Sequence, residues 1–214
     1  MKYKYIMWDW NGTILDDAVI NFETVNALLL KRDLKPMESL EQYRQIFDFP
    51  VIDFYKIAGF DLEREKFEAI AKEYVLEYEE RFYESEIFED IQNLIRDIKF
   101  AGVMQMILSA TQQSMLEKQV RFHDMDYLFT DILGVKDVYG KSKVDIALRW
   151  ITENNIDAAD VLFVGDTTHD FLVAENIGCD CVLIARGHHC YEKLADTGAK
   201  VIENAQQLRE LVLK

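Results

Sequence analysis

The stretch Tyr5–Asp17, YIMWDWNGTILDD, runs an apolar segment into a carboxylate, Asp9, and then places an amide, a glycine and a threonine within four residues. Lys4 to Trp8 is rich in aromatic and branched side chains and reads as a strand ending on Asp9. Asp16 and Asp17 read as helix-start residues ahead of AVINFETVNALLLKR, where Ile20, Val25, Leu28 and Leu29 share one helical face. The helical pattern continues through ESLEQYRQIF, PVIDFYKIAGF and DLEREKFEAIAKEYVLEYEERFY. In the last of these Phe67, Ile70, Ala71, Tyr74, Tyr78 and Phe82 recur at helical spacing, and nothing between residues 18 and 86 reads as a strand.

From residue 88 the pattern changes to helix alternating with strand: FEDIQNLIRDIKFAG before VMQMILSA, QQSMLEKQVRFHD before YLFTDILG, SKVDIALRWITENN before ADVLFVGDT, and HDFLVAENIG before CDCVLIAR. That alternation predicts right-handed crossovers and a parallel sheet, hence an α/β fold. The strand at residues 4–8 joins the same sheet. The chain therefore divides into a core, residues 1–15 and 87–214, and a helical insertion, residues 16–86, rather than two domains in series.

Bulk properties narrow the function. The 214 residues are half hydrophobic and include only two prolines, which argues against disorder. A formal charge of −15 argues against a nucleic-acid binder, because phosphate backbones need basic surface; a small phosphate ligand is still admissible where a lysine and a metal ion reverse the sign locally. Three cysteines do not make a disulfide framework, and MKYKYIMW is too short and aromatic for a signal peptide. With no apolar run near ~20 residues, the expectation is a cytoplasmic protein without a membrane partner.

In open α/β sheets ligands bind beyond the carboxyl ends of the strands. Four predicted ends carry chemistry: Asp9, Ser109, the Lys141/Lys143 pair ahead of a helix, and Asp166 with Asp170. Any one carboxylate here has a plain reading as a helix cap. Together they are the equipment of phosphoryl transfer. Asp166 and Asp170, four apart after Gly165, would repel Asp9 unless a cation lay between them, and hard oxygen ligands suit Mg²⁺. Asp9 would be the nucleophile, Lys143 or Lys141 would spread charge over the phosphoryl oxygens, Ser109 and nearby backbone N–H groups would hold one of them, and Thr13 would steady the loop.

These residues resemble the four motifs of the haloacid dehalogenase superfamily, in its phosphoglycolate-phosphatase-like form with a helical cap. DWNGT (Asp9–Thr13) resembles the first motif, MILSA (ending on Ser109 and Ala110) the second, the lysine before VDIALRW the third, and GDTTHD (Gly165–Asp170) the fourth. The resemblance implies a three-layer Rossmann-like parallel sheet core with an inserted all-helical cap. It also implies a Mg²⁺ ion held by Asp9, Asp166, Asp170 and the backbone carbonyl of Asn11. Ser109, Ala110 and a lysine would bind phosphate, and the reaction would be hydrolysis of a small phosphorylated metabolite through an aspartyl-phosphate. The third motif has two candidates: Lys141 lies 24 residues before Gly165 and Lys143 lies 22 before it, and the latter opens the helix directly. Monomer and dimer are both compatible with the sequence.

Asn11 departs from the pattern. The family's phosphatases carry there a second aspartate that protonates the leaving oxygen and later activates water, and an amide does neither. The departure fits a substrate with a good leaving group, a substitute acid from the cap, or a member that binds a phosphorylated ligand with little or no turnover. It also fits a phosphonoacetaldehyde-hydrolase-like reaction, for which Lys56 would be the imine-forming cap lysine. A receiver-type phosphoacceptor switch fits poorly, since its acids cluster early and its phosphoacceptor comes mid-chain. CDCVLIARGHHC gathers Cys179, Cys181, His188, His189 and Cys190 without a zinc spacing; the cysteines read as core, and one histidine as approaching the rim of the site. His169 reads as a neighbour of the site, and Phe47, Phe49, Phe54 and Tyr55 as core of the insertion.

Overall fold

A computed structural model describes residues 2–136 and 143–213. The first strand, β1 (Tyr5–Trp8), lies inside the sheet because both its faces are apolar: Ile6 and Trp8 turn one way and Met7 the other, all fully buried. After β1 the chain makes a two-residue strand, β2 (Leu15–Asp16), and leaves as four helices, α1 (Ala18–Leu30), α2 (Leu40–Ile46), α3 (Val51–Ala58) and α4 (Phe67–Arg81). It returns through β3 (Glu86–Ile87), which pairs antiparallel with β2, Leu15 opposite Ile87 and Asp16 opposite Glu86. The exit and re-entry points of the helical segment are thus side by side.

The rest alternates: α5 (Glu89–Phe100), β4 (Met104–Gln112), α6 (Gln113–Phe122), β5 (Asp131–Val135), α7 (Lys143–Glu153), β6 (Val161–Gly165), α8 (Thr168–Ile177), β7 (Asp180–Ile184), α9 (Tyr191–Ala195), β8 (Lys200–Ile202) and α10 (Ala205–Val212). The six long-range strands form one parallel sheet in the order β5-β4-β1-β6-β7-β8. Chain order reverses around β1, so the crevice at the carboxyl ends of β4, β1 and β6 is the expected ligand position.

Helices cover both faces. Ile91, Leu94, Ile95 and Ile98 of α5, Leu116 and Val120 of α6 and Leu208 and Val212 of α10 pack with Ile6, Trp8, Ile107 and Val164 on one face. Ala147 and Trp150 of α7 and Val173, Ala174 and Ile177 of α8 pack with Met7, Met106, Leu108 and Phe163 on the other, where Cys179 and Cys181 also lie. Buried indole N–H groups are satisfied: Trp8 donates to Gln105 Oε1 (3.1 Å) and Trp10 to Gln119 Oε1 (2.9 Å).

The inserted helices have a core of their own, built from Val25, Leu28 and Leu29 of α1, Tyr43, Phe54, Tyr55, Phe60 and Ile70. Phe47 joins its edge, whereas Phe49 leaves it and stacks on His169, ring centroids 4.7 Å apart. No described helix is long and apolar enough to cross a membrane.

Candidate active site

Two strand ends and the first turn of a helix place the acids. Asp9 follows β1 directly and its N–H donates to the Val164 carbonyl of β6 (2.8 Å). Asp166 follows β6, and Asp170 is the third residue of α8, where it closes a capping box: Thr167 Oγ1 accepts from the Asp170 N–H while Asp170 Oδ2 accepts from the Thr167 N–H (3.0 Å) and the Asp166 N–H (3.1 Å). The cap reading of Asp170 and its place in the site are therefore compatible. One carboxylate oxygen from each of Asp9, Asp166 and Asp170 lies within 4.8 Å of the others. Lys143, at the start of α7, puts its Nζ 2.8 Å from Asp9 Oδ1 and 2.6 Å from Asp170 Oδ1, with only 3% of its side chain exposed. Lys141 lies outside the described residues.

Burial sets the electrostatics. It pushes the Asp9 carboxyl up to about 8, with the Asp170 charge adding to the shift and Lys143 opposing it. Asp166 is pushed up to about 6 by burial, against the pull of His188. Burial works against both partners of the Lys143–Asp170 pair, yet their mutual attraction wins: the ammonium is held well above its usual range and the carboxyl below its own. Three buried carboxylates around Lys143 leave a charge imbalance that a divalent cation would settle, and an all-oxygen donor set suits Mg²⁺.

The loop after Asp9 is held tightly. Thr13 Oγ1 donates to Asp166 Oδ1 (2.8 Å), and Gly12 sits at φ +70°. A Cβ at Gly12 would fall 2.3 Å from Asp166 Oδ2, and one at Gly187 would fall 2.1 Å from the same oxygen, so both positions admit only glycine. Ser109 is buried near the end of β4, its Oγ accepting from the Thr111 N–H (3.1 Å), and Ala110 beside it is exposed. The register between β4 and β5 shifts between Leu108 and Gln112, the kind of irregularity that re-aims backbone groups next to a site.

Asn11 is fully engaged. Its Oδ1 accepts from the Thr111 hydroxyl (2.7 Å), and its Nδ2 donates to Asp17 Oδ2 (2.7 Å) and to the Tyr78 hydroxyl (3.0 Å). Asp17 begins α1 without capping it through its side chain. That carboxylate, fully buried, instead accepts from the Gly12 N–H (2.9 Å), Asn21 Nδ2 (2.7 Å) and Tyr78 Oη (2.6 Å), and faces His188 Nε2 at 3.3 Å. His188 is buried; its N–H donates to Asp166 Oδ2 (2.7 Å) and its Nδ1 meets the Tyr43 hydroxyl (2.8 Å). Although burial opposes it, the Asp17 charge raises the His188 imidazolium to about 9.

His188 thus enters the centre rather than the rim. His189 is also fully buried, its Nδ1 accepting from the Thr168 N–H (3.1 Å). Arg44 ties α2 to the same loop by donating to the carbonyls of Gly187 (2.8 Å) and Arg186 (2.7 Å). Lys56 stays outside this cluster: its side chain is 55% exposed and pairs with Asp53 on the same helix. The imine role that the sequence admitted for it has no support in this placement. Asp17 and Tyr78, which the sequence reads as a helix start and as part of an apolar helix face, belong to this cluster, as do Tyr43, Thr111 and Gly187, which the sequence did not single out.

A family model described as haloacid dehalogenase-like hydrolase matches residues 6–184. The phosphoglycolate phosphatase of Vibrio vulnificus (strain CMCP6) is 24% identical over 92% of this chain and 75% of its own. Two solved structures share the fold: a predicted phosphatase from Clostridium acetobutylicum (TM-score 0.84, 21% identity, 100% of this chain and 99% of that one) and the protein tyrosine kinase A of Mycobacterium tuberculosis (TM-score 0.83, 21% identity, 99% and 98%).

Proposed function

The chain belongs to the haloacid dehalogenase-like hydrolase family, and from that premise we propose that it is a Mg²⁺-dependent phosphatase of a small phosphorylated metabolite, working through an aspartyl-phosphate. The observation that carries the reading is the meeting of Asp9, Asp166 and Asp170 with the buried Lys143 at the carboxyl ends of β1 and β6. The phosphoglycolate phosphatases among its relatives support the same reaction class.

Asp9 attacks phosphorus: the bond from its carboxylate oxygen forms as the bond to the leaving oxygen breaks, and water then cleaves the acyl-phosphate to return the carboxylate and release phosphate. Lys143 neutralises charge on the phosphoryl oxygens and orients Asp9. Ser109 and the backbone N–H groups around Ala110 hold a non-bridging oxygen. Asp9, Asp166 and the Asn11 carbonyl would hold the ion, with Asp170 in support. When bound, Mg²⁺ supplies positive charge against the phosphoryl group. Residues 16–86 act as the cap that closes over this cleft and excludes water.

Residue 11 limits the substrate. General acid–base help is worth about 10²–10⁴-fold, and Asn11 cannot supply it, so the favoured substrates are those whose leaving group departs without a proton, such as acyl or aryl phosphates. The test is phosphate release with Mg²⁺ from acetyl phosphate, p-nitrophenyl phosphate, 2-phosphoglycolate and phosphonoacetaldehyde. The expected result is turnover of the first two ahead of the alkyl ester, falling to the blank in Asp9→Asn and Asp166→Asn. Undiminished release in both variants, or turnover of phosphonoacetaldehyde alone, would overturn the proposal.

A further inference from the structure

We propose that Asp17 is a positioning residue that requires an amide at position 11 and locks the loop of residues 11–13 to the helical insertion. The argument starts from donors and acceptors. A carboxylate only accepts, so the group 2.7 Å from Asp17 Oδ2 has to be the NH₂ end of Asn11, which turns Asn11 Oδ1 toward the Thr111 hydroxyl. Both ends of the amide are used and its orientation is unique. The Tyr78 hydroxyl has one proton, which goes to Asp17, and it accepts the second Asn11 N–H. The remaining acceptor sites of Asp17 are taken by the Gly12 N–H and Asn21 Nδ2, and His188 balances its charge.

Two consequences follow. An aspartate at residue 11 would set a second carboxyl against a buried one at hydrogen-bond distance; the two could not both stay ionised, so the pair would hold a proton between its own oxygens, and Asn11→Asp alone aims that proton at Asp17 rather than at a leaving group. The pair also bridges three parts of the chain: Asn11 and Gly12 belong to the loop after β1, Tyr78 to α4 and Thr111 to β4. Asp17 touches the loop and α4 directly and Thr111 reaches it only through Asn11, so Asp17 sets the position of the loop whose backbone faces Asp166.

The experiment is a four-member exchange series: wild type, Asn11→Asp, Asp17→Asn, and the double variant that trades carboxylate for amide. Thermal unfolding is followed with EDTA at about pH 8, where a new carboxyl is ionised in water. Each single variant is expected to unfold about 3–10 °C lower, from an unpaired or repelling buried group, and the double to recover more than half of the summed loss. In parallel, Mg²⁺-supported hydrolysis of p-nitrophenyl phosphate is expected to show kcat lowered at least about tenfold in Asp17→Asn with KM little changed, and kcat partly restored in the double. Tyr78→Phe, which removes one hydroxyl, gives a milder loss of kcat and serves if Asp17→Asn does not fold. Losses that simply add in the double, or an Asn11→Asp protein as stable as wild type, overturn the pairing. The kinetic arm rests on the phosphatase reading and the thermal arm does not. Coupling without turnover in any of the four therefore upholds the pair and counts against the phosphatase, and turnover with additive losses does the reverse.

Discussion

Asp9 and Asp166 are carboxyls that folding makes reluctant to ionise, and this fixes the sign of a pH effect. Asp9 has its pKa raised from 3.8 to about 8 and Asp166 to about 6, so the metal-free fold binds more protons than the unfolded chain and loses stability as pH climbs between those limits. A cation that competes with those protons binds better at pH 8 than at pH 6. Mg²⁺ at about 100 times its dissociation constant is worth roughly 2.7 kcal/mol, or about 5–10 °C in the unfolding midpoint. The expected outcome is a midpoint shift of that size at pH 8, smaller at pH 6 and absent in Asp166→Asn; a shift larger at pH 6 contradicts it. Much of this cluster was legible in the sequence, because Asp9 and Asp166 end predicted strands while Lys143 and Asp170 stand at the starts of predicted helices. Asp17 was not, because an acid ahead of a helix already has a sufficient explanation as a cap. The signal was its neighbour: two acids, Asp16 and Asp17, stand where one cap is needed, six residues after an unexpected amide.

At the scale of elements, the loop between β7 and α9 is packed closely against the acids. A Cβ on Gly187 would lie 2.1 Å from Asp166 Oδ2 and 2.5 Å from the Gly12 carbonyl oxygen. Gly187→Ala is expected to keep its circular dichroism spectrum while phosphate release drops about 10²-fold, the scale of a 1 Å misplacement of a reacting group. Near-wild-type release would mean the loop relaxes at no cost. Most helices and strands were readable because their periods repeat several times. The pairs Leu15–Asp16 and Glu86–Ile87 and the triplet Lys200–Ile202 hold too few residues for a period to register, and pairing with distant chain defines them. Phe49 shows the same limit, since its contact with His169 follows from packing between segments far apart in sequence.

Across the whole molecule, the insertion meets the core through polar contacts made by aromatic and basic side chains. Tyr43 reaches His188, Tyr78 reaches Asn11, Arg44 reaches two carbonyls of the β7–α9 loop, and Lys193 of α9 reaches back to the Phe47 carbonyl and Asp48. Arg44→Ala removes two of these donors without touching the acids. It should speed amide exchange in residues 186–189 and raise KM several-fold more than it lowers kcat, and unchanged exchange there would refute the role of the contact. The division into sheet and inserted helices followed from hydrophobic periodicity, but the contacts between them did not, because tyrosine and arginine on a helix face look the same whether they meet solvent or a partner.

The ladder between β2 and β3 carries one more implication. Leu15 and Ile87 stand opposite each other, so the core sees the insertion as a single pair of adjacent stubs. A module mounted that way is interchangeable: one helical unit can be traded for another of different length, or for a tight turn, without rethreading the sheet. Lineages that keep the acids and the lysine while remodelling what lies between these stubs would vary what the enzyme accepts while leaving what it does to a bound phosphate unchanged.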